Sequence, residues 1–312
     1  MGLQRTIGGC VTLSGVGVHT GQAATIIFSP AEQNTGIVFK RRSSSGIISS
    51  IRAVASEISS TELCTVLGRP ESVSVSTVEH LMAALYAVGV DNMIVDVDSA
   101  EIPIMDGSAS VFIDAIDQVG IEVQAAKRQF IRVLHPVRTE LGGSWAEFLP
   151  YDGTRFEVTI DFDNPAIGKQ QFAHDVTTEL FRKDLANART FGFMRDVQEL
   201  WSSGHALGSS LENSVVIGDG NHIINPEGLR FKDEFVRHKT LDAIGDLALA
   251  GAQFVGCYRS YRGGHKLNAK ALKALLSNRS VYEIVESPSN NPTHDFIDMV
   301  VVNTPAFSPW VH

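Results

Sequence analysis

The sequence predicts an α+β protein built from two similar units. Short apolar-alternating segments, punctuated by Gly, Ser and Pro, read as antiparallel strands and then give way to amphipathic helices. The succession strands, helix, strand, helix occurs twice along the chain. A length of 312 residues exceeds one average domain and suits two of middling size. Runs of strands followed by helices favour α+β layers over parallel βαβ units.

In order, "CVTLSGVGV", "ATIIFSP", "GIVFKR" and "CTVLG" read as the strands of the first unit. "STVEHLMAALYAVGV" (76–90) follows as a helix, with Leu81, Leu85 and Val88 forming its buried stripe. Ser76 and Glu79 fit a capping box at its start. "NMIVDV" reads as a strand and "GSASVFIDAIDQVG" (107–120) as a second helix with Ser108 at its N-cap. Around 122–130 apolar periodicity gives way to charge, which places a boundary between units 1–125 and 126–312. The second unit opens with "FIRVLHPVRTE", "SWAEFLPY" and "RFEVTIDF" as strands, then a helix over 232–250, the strand "AQFVGCYRSY" and a helix capped by Asn268. Between them, 184–226 is an insertion of short apolar pieces that include Phe191, Phe193, Met194, Leu200 and Trp201. That content suits an apolar binding surface better than a solvated loop.

Hydrophobic residues make up 44% of the chain and charged ones 20%, with a net charge of −9. This acidic balance, without a dense basic run, argues against nucleic-acid binding. Three cysteines, with no C-x-x-C, argue against a disulfide framework and a cysteine-ligated zinc. No secretory h-region and no apolar run of membrane-spanning length is evident, so a cytoplasmic protein is expected.

Chemistry concentrates in few places. His238, Asp242 and Asp246 fall four residues apart on one helical face, where like charges repel unless a cation sits against them. His238 and Asp242 at i and i+4 can converge on one ion, by the same geometry that lets H-E-x-x-H bind zinc. A helix-surface ion pair is the plain alternative. His80 is the natural third ligand, and Glu79 beside it reads either as a helix cap or as a general base. His265, in the Gly-Gly stretch "RGGHKLN" (262–268), is a proton donor if Asp246 holds it charged, or else a solvated loop histidine. "IPIMDGSA" (102–109) reads as a structural turn, and His135, His174, His205, His222, His294 and His312 lack partners at ligand spacing.

"STVEHLMAAL", "EIPIMDGSA", "ARTFGFMRD", "LRFKDEFVRHKTLDAIGDL" and "GGHKLN" together resemble, in order and spacing, the bacterial UDP-3-O-acyl-N-acetylglucosamine deacetylases, over nearly the whole chain. The resemblance implies two similar domains, each a mainly antiparallel sheet layered on a pair of helices, with the active site between them. It implies hydrolysis of the N-acetyl group of UDP-3-O-(3-hydroxyacyl)-N-acetylglucosamine, the committed step of lipid A synthesis, by a monomer holding Zn²⁺, with Fe²⁺ as the alternative metal. It casts His80, His238 and Asp242 as metal ligands and Glu79 as general base. His265 is cast as acid or oxyanion stabiliser, oriented by Asp246, and Thr190 supports the oxyanion. Lys239 falls at the position of a substrate-binding cation, and Phe162 and Arg262 in the region that contacts the UDP end. Phe191, Met194, Val197, Leu200, Leu211 and Val216 are candidates to line the acyl passage, and Cys64 and His19 border the cleft. Leu211, Ser209, Ala206 and Lys266 depart from the family pattern, which bears on acyl-chain length.

Three rival readings have their own discriminating observations. Two His and one carboxylate also describe a non-haem Fe(II) oxygenase, which would consume oxygen with a 2-oxo acid. A nucleotide-sugar or lipid-binding module with a structural metal would show four protein ligands and no turnover. A zinc amidase with another substrate would not need the apolar insertion.

Overall fold

In this computed structural model, residues 2–42 and 46–286 are described. His294, His312 and the end of the 126–312 unit lie outside them. Period-2 patterning becomes strand in the first half. In Ala23–Pro30, Ala24, Ile26 and Phe28 point inward while Ile27 faces out, the alternation of a half-buried sheet. That strand lies in a five-stranded sheet ordered Val11–Val16, Ala23–Pro30, Met93–Val97, Ile37–Arg42, Ile48–Arg52. Only the Ile37–Arg42/Met93–Val97 pair is parallel. Strand Ile121–Lys127 returns to pair antiparallel with Leu3–Ile7.

The second half forms a seven-stranded sheet around the long strand Gln253–Tyr261. Ser144–Leu149 pairs with it antiparallel, whereas Phe130–Val133 and Thr154–Asp161 pair with it parallel. Val137–Leu141, Lys169–Asp175 and Tyr282–Val285 complete the sheet through antiparallel pairs.

Four main helices fill the space between these sheets: α1 (Glu79–Val88), α2 (Ser110–Val119), α3 (Glu234–Ala248) and α4 (His265–Leu276). α2 packs on α1 and on Val11–Val16. α3 packs on Thr154–Asp161 and Lys169–Asp175, and α4 on Val137–Leu141 and Ser144–Leu149. The two helix layers meet where α1 lies against α3. This explains why α1 is buried all round and not along one stripe. Leu81, Leu85 and Val88 are inside as expected, and so are Met82, Ala83, Ala84 and Ala87. A helix apolar on every face is a core helix, and Ala at three of those positions lets its neighbours come close.

Three helix starts differ from expectation. Ser76 does not cap α1. It stays in strand Val73–Ser76, and its hydroxyl donates to Ala100 O at 3.2 Å. Thr77 then turns into the left-handed region at φ 59°, so the helix begins at Glu79 and not three residues before it. The expected capping box is therefore absent, and the Glu79 carboxylate is free for another partner. Ser108 lies one residue too early to cap α2, whose first residue is Ser110, although its hydroxyl accepts from Ser110 N. α4 starts at His265, after an extended Gly264, so His265 is a helical residue and Asn268 sits buried in the first turn.

The 184–226 insertion is less irregular than its sequence suggests. Phe191–Phe193 and Val215–Ile217 form a small parallel pair, with the short helix Val197–Ser202 between them. Among the described residues, no helix is long and apolar enough to cross a membrane.

Candidate metal centre and active site

Glu234, His238, Asp242 and Asp246 follow one another every four residues along α3, and all four are buried. α1 sets Glu79 and His80 against this row from its own first turn. The approach is possible because Gly245 has no Cβ: one there would overlap the Glu79 carbonyl oxygen. The His80 and His238 rings stand edge to face, 4.9 Å between centroids. Their Nε2 atoms lie 3.4 and 3.3 Å from Asp242 Oδ1. One ligand atom from each of the three side chains lies within 4.8 Å of the other two.

The donor set fits a divalent metal. His238 Nδ1 is 3.0 Å from Ala188 O, and a carbonyl only accepts, so Nδ1 carries the proton and Nε2 offers its lone pair. Burial holds the His238 pKa down to about 3, so the ring is neutral. Asp242 Oδ1 is buried without a hydrogen bond. An unsatisfied buried carboxylate oxygen beside an imidazole lone pair is costly unless a cation lies between them. Two His nitrogens and one carboxylate oxygen leave coordination positions open, the mark of a catalytic and not a structural site.

Around this set lies a hydrogen-bonded cluster of acidic and basic side chains. Asp246 Oδ1 accepts from Thr65 Oγ1 at 2.6 Å, and Oδ2 accepts from His265 Nδ1 at 2.9 Å and Asn268 Nδ2 at 2.8 Å. The Tyr258 hydroxyl donates to Asn268 Oδ1 at 2.7 Å, which fixes the amide so that its NH₂ faces Asp246. Burial works against charge on His265, but Asp246 and Glu79 outweigh it and lift its pKa to about 9. Glu79 Oε2 accepts from Thr65 N at 3.1 Å, and its carboxyl is raised above the usual carboxylate range mainly by burial. His265 Nε2 is 3.8 Å from Glu79 Oε1 and 4.0 Å from Asp242 Oδ2. These gaps exceed a hydrogen bond, so His265 Nε2 is not bonded directly to either carboxylate. Lys239 Nζ donates to Asp242 Oδ2 at 2.7 Å.

The structure thus brings His80, His238, Asp242, Glu79, His265, Asp246 and Lys239 into one cluster. Phe191 stands edge-on to His238 at 6.3 Å, and Phe162 stands edge-on to Phe191 at 5.9 Å, so both border it. Cys64 is buried beside Thr65, its thiol pushed up to about 12 by burial and by Glu79. Burial lowers the pKa of His19 against the opposing pull of the Glu101 carboxylate, and its ring meets that of His205 at 5.7 Å. His205, given no role from sequence, thus lies next to a candidate site residue. Thr190 is held by its backbone to Gly107 O and Val215 N. Val216 sits in the small parallel pair, Val197 and Leu200 are half-buried, and Met194 and Leu211 are exposed. Arg262 is exposed with a left-handed φ of 53°. Among the described residues, no bond or ring contact ties Arg262, Met194, Val197, Leu200 or Leu211 to the cluster.

Sequence reasoning missed Thr65, which binds the carboxylates of both Glu79 and Asp246 from the position just before strand Val66–Arg69 and carries no spacing signal. It misread Asn268 as a cap, and it passed over Glu234 although Glu234 starts the same four-residue spacing.

Comparison with known proteins identifies the family. A family profile described as LpxC, UDP-3-O-acyl N-acetylglycosamine deacetylase, matches residues 4–277. Curated relatives from Brucella ovis and Brucella canis, each named UDP-3-O-acyl-N-acetylglucosamine deacetylase, are 59% identical over 286 residues. A relative from Brucella melitensis biotype 2 carries the same name at the same identity. Each of these alignments spans 91% of this chain and 99% of the relative. With nearly every described element inside the match, the chain belongs to the UDP-3-O-acyl N-acetylglycosamine deacetylase family.

Proposed function

We propose that the chain hydrolyses the N-acetyl group of UDP-3-O-(3-hydroxyacyl)-N-acetylglucosamine to the free amine and acetate, the committed step of lipid A synthesis, with Zn²⁺ held by His80, His238 and Asp242. The observation that carries this reading is the buried Asp242 Oδ1, which lacks a hydrogen bond yet faces two imidazole nitrogens beside a buried glutamate. Family membership supplies the substrate class.

A metal bound there supplies a Lewis acid that polarises the amide carbonyl and acidifies water. Glu79, held through Oε2 by Thr65 N, takes the proton from the attacking water. His265, kept charged by Asp246, stabilises the oxyanion and gives a proton to the leaving amine. Thr190 adds a hydroxyl to the oxyanion, and one such donor contributes roughly 3–4 kcal/mol. Lys239 binds the substrate as a cation, and Phe162 and Arg262 meet its UDP end. Phe191, Met194, Val197, Leu200, Leu211 and Val216 line the way for the acyl chain, whose burial adds about 0.8 kcal/mol per CH₂. Cys64 and His19 border the cleft, which lies between units 1–125 and 126–312 of a cytoplasmic monomer.

The test is acetate release from that substrate by purified protein as prepared, after chelation, and after stoichiometric Zn²⁺ is restored. Loss on chelation with recovery on Zn²⁺ is expected. Recovery with Fe²⁺ alone would replace zinc by iron. No release in any sample across several acyl lengths would overturn the reading in favour of a binding module.

A further inference from the structure

The peptide group joining Ala188 to Arg189 is gripped at both ends by one helix. Its carbonyl oxygen accepts from His238 Nδ1 at 3.0 Å, and its N–H donates to Glu234 Oε1 at 3.0 Å. The chain has no cis peptide bond among the described residues, so the two groups of this peptide point in opposite directions. Glu234 and His238 are one turn apart on α3, and the peptide spans that turn.

Glu234 is fully buried. Its Oε1 also accepts from Arg189 Nε at 2.9 Å, and its Oε2 accepts from Arg230 N at 2.6 Å. Arg189 itself is 2% exposed and is tied further to Gly228 O and to Glu227. A buried ion pair is weak evidence for stability, because desolvation offsets its attraction. Its cost is easier to understand where it fixes a geometry. Here the residue before Arg189 orients His238, and the residue after it is Thr190, whose own backbone is pinned to Gly107 and Val215.

We propose that the Arg189–Glu234 pair is a positioning device for the metal site: it holds the Ala188–Arg189 peptide so that the carbonyl fixes the His238 ring with Nε2 facing Asp242. This deepens the reading of His80, His238 and Asp242 as metal ligands and rests on it. Arg189 and Glu234 touch neither metal nor substrate.

The test measures Zn²⁺ affinity of the full chain by competition with a chromophoric chelator, alongside urea unfolding. Glu234→Gln places an NH₂ group against donors, and Arg189→Lys keeps the charge but loses the fork. Both are expected to weaken Zn²⁺ binding by about 10–100-fold, the usual cost of losing a group that orients a ligand. Glu227→Gln neutralises only the exposed partner of Arg189, keeping an acceptor oxygen there, and is expected to leave affinity unchanged. Asp91→Asn cuts a comparable pair with the buried Arg128 away from the site, and serves as the destabilised control. If Glu234→Gln does not fold, Arg189→Lys decides the matter. Affinity equal to wild type, or reduced no more than in Asp91→Asn, overturns the inference and leaves the metal site standing. Wild-type protein that binds no Zn²⁺ overturns the metal reading and this inference together.

Discussion

Gly245 on α3 faces the main-chain carbonyl of Glu79 on α1 so closely that a Cβ there would overlap the oxygen. The contact is backbone to backbone, so no side chain can rotate away to relieve it. Gly245→Ala must push the two helices apart, and with them Glu79 and His80 from Asp242 and Asp246. Overpacking of a core costs about 1–3 kcal/mol. A loss of that size is expected in urea unfolding, together with a fall in kcat well beyond what the lost stability explains. Wild-type kcat in a folded Gly245→Ala variant would show that the separation of α1 and α3 is not critical.

This contact also marks where the sequence stops being informative. His238, Asp242 and Asp246 were legible because four-residue spacing on a helix is a geometric statement, independent of the fold. His80 followed because a zinc-type set needs a third ligand. The Ser76–Glu79 capping box was misleading: its pattern is local, but the left-handed Thr77 that breaks it is stabilised from far along the chain. The Thr77 hydroxyl donates to Glu101 at 2.9 Å. Thr65, Gly245 and the Ala188 carbonyl act through contacts between segments distant in sequence, and no periodicity encodes those. The α+β division into strands and helices was legible because strand and helix periods differ. The burial of α1 on every side was not, because it depends on α3 packing against it.

Glu79→Gln isolates the proposed base. The amide oxygen can still accept from Thr65 N, so the fold and the metal set are expected to survive. Proton removal from the attacking water is lost. We expect kcat to drop by roughly 10²–10⁴-fold with KM little changed and Zn²⁺ stoichiometry at the wild-type value. A drop in metal content would instead make Glu79 part of the metal site.

The pH dependence follows from two shifts of the same sign in different groups. Glu79 must be ionised to act as base, and burial raises its pKa, so the acid limb of kcat/KM is expected above the ordinary carboxylate range. In the proposed role, as acid or oxyanion stabiliser, His265 must be protonated; its pKa lies near 9 because Asp246 and Glu79 outweigh its burial, so activity should fall as pH rises through about 9. Asp246→Asn removes the larger of those two contributions and should move the alkaline limb to lower pH. Stability follows the same logic. A histidine whose folded pKa exceeds its unfolded value of 6.5 stabilises the fold fully below pH 6.5 and loses that contribution as pH rises through about 9. The stability gap between wild type and Asp246→Asn should therefore narrow between pH 6.5 and pH 9.5. An alkaline limb unmoved by Asp246→Asn would remove His265 from the proton transfer.

Glu101 offers the last test, because it connects the His19 loop to the start of α1. Its side chain is wholly buried and receives four donors: His19 N and Thr77 Oγ1 on Oε1, and Thr20 N and Thr20 Oγ1 on Oε2. Gly17 lies so close that an added Cβ would overlap Glu101 Oε2. Through Thr77 the carboxylate holds the left-handed turn that delivers Glu79 as the first residue of α1, and through His19 N it fixes the loop proposed to border the cleft. Glu101→Gln keeps the shape but turns an NH₂ toward an N–H or O–H that needs an acceptor. Leaving such a buried group unpaired costs about 1–3 kcal/mol, so a loss of that size is expected in chemical unfolding. Because the strain falls on the turn and the loop and not on α3, kcat should fall and KM rise while Zn²⁺ affinity holds. If Glu101→Gln instead released the metal, His80 would depend on this carboxylate more than on its own helix, and the turn at Thr77 would belong to the metal site.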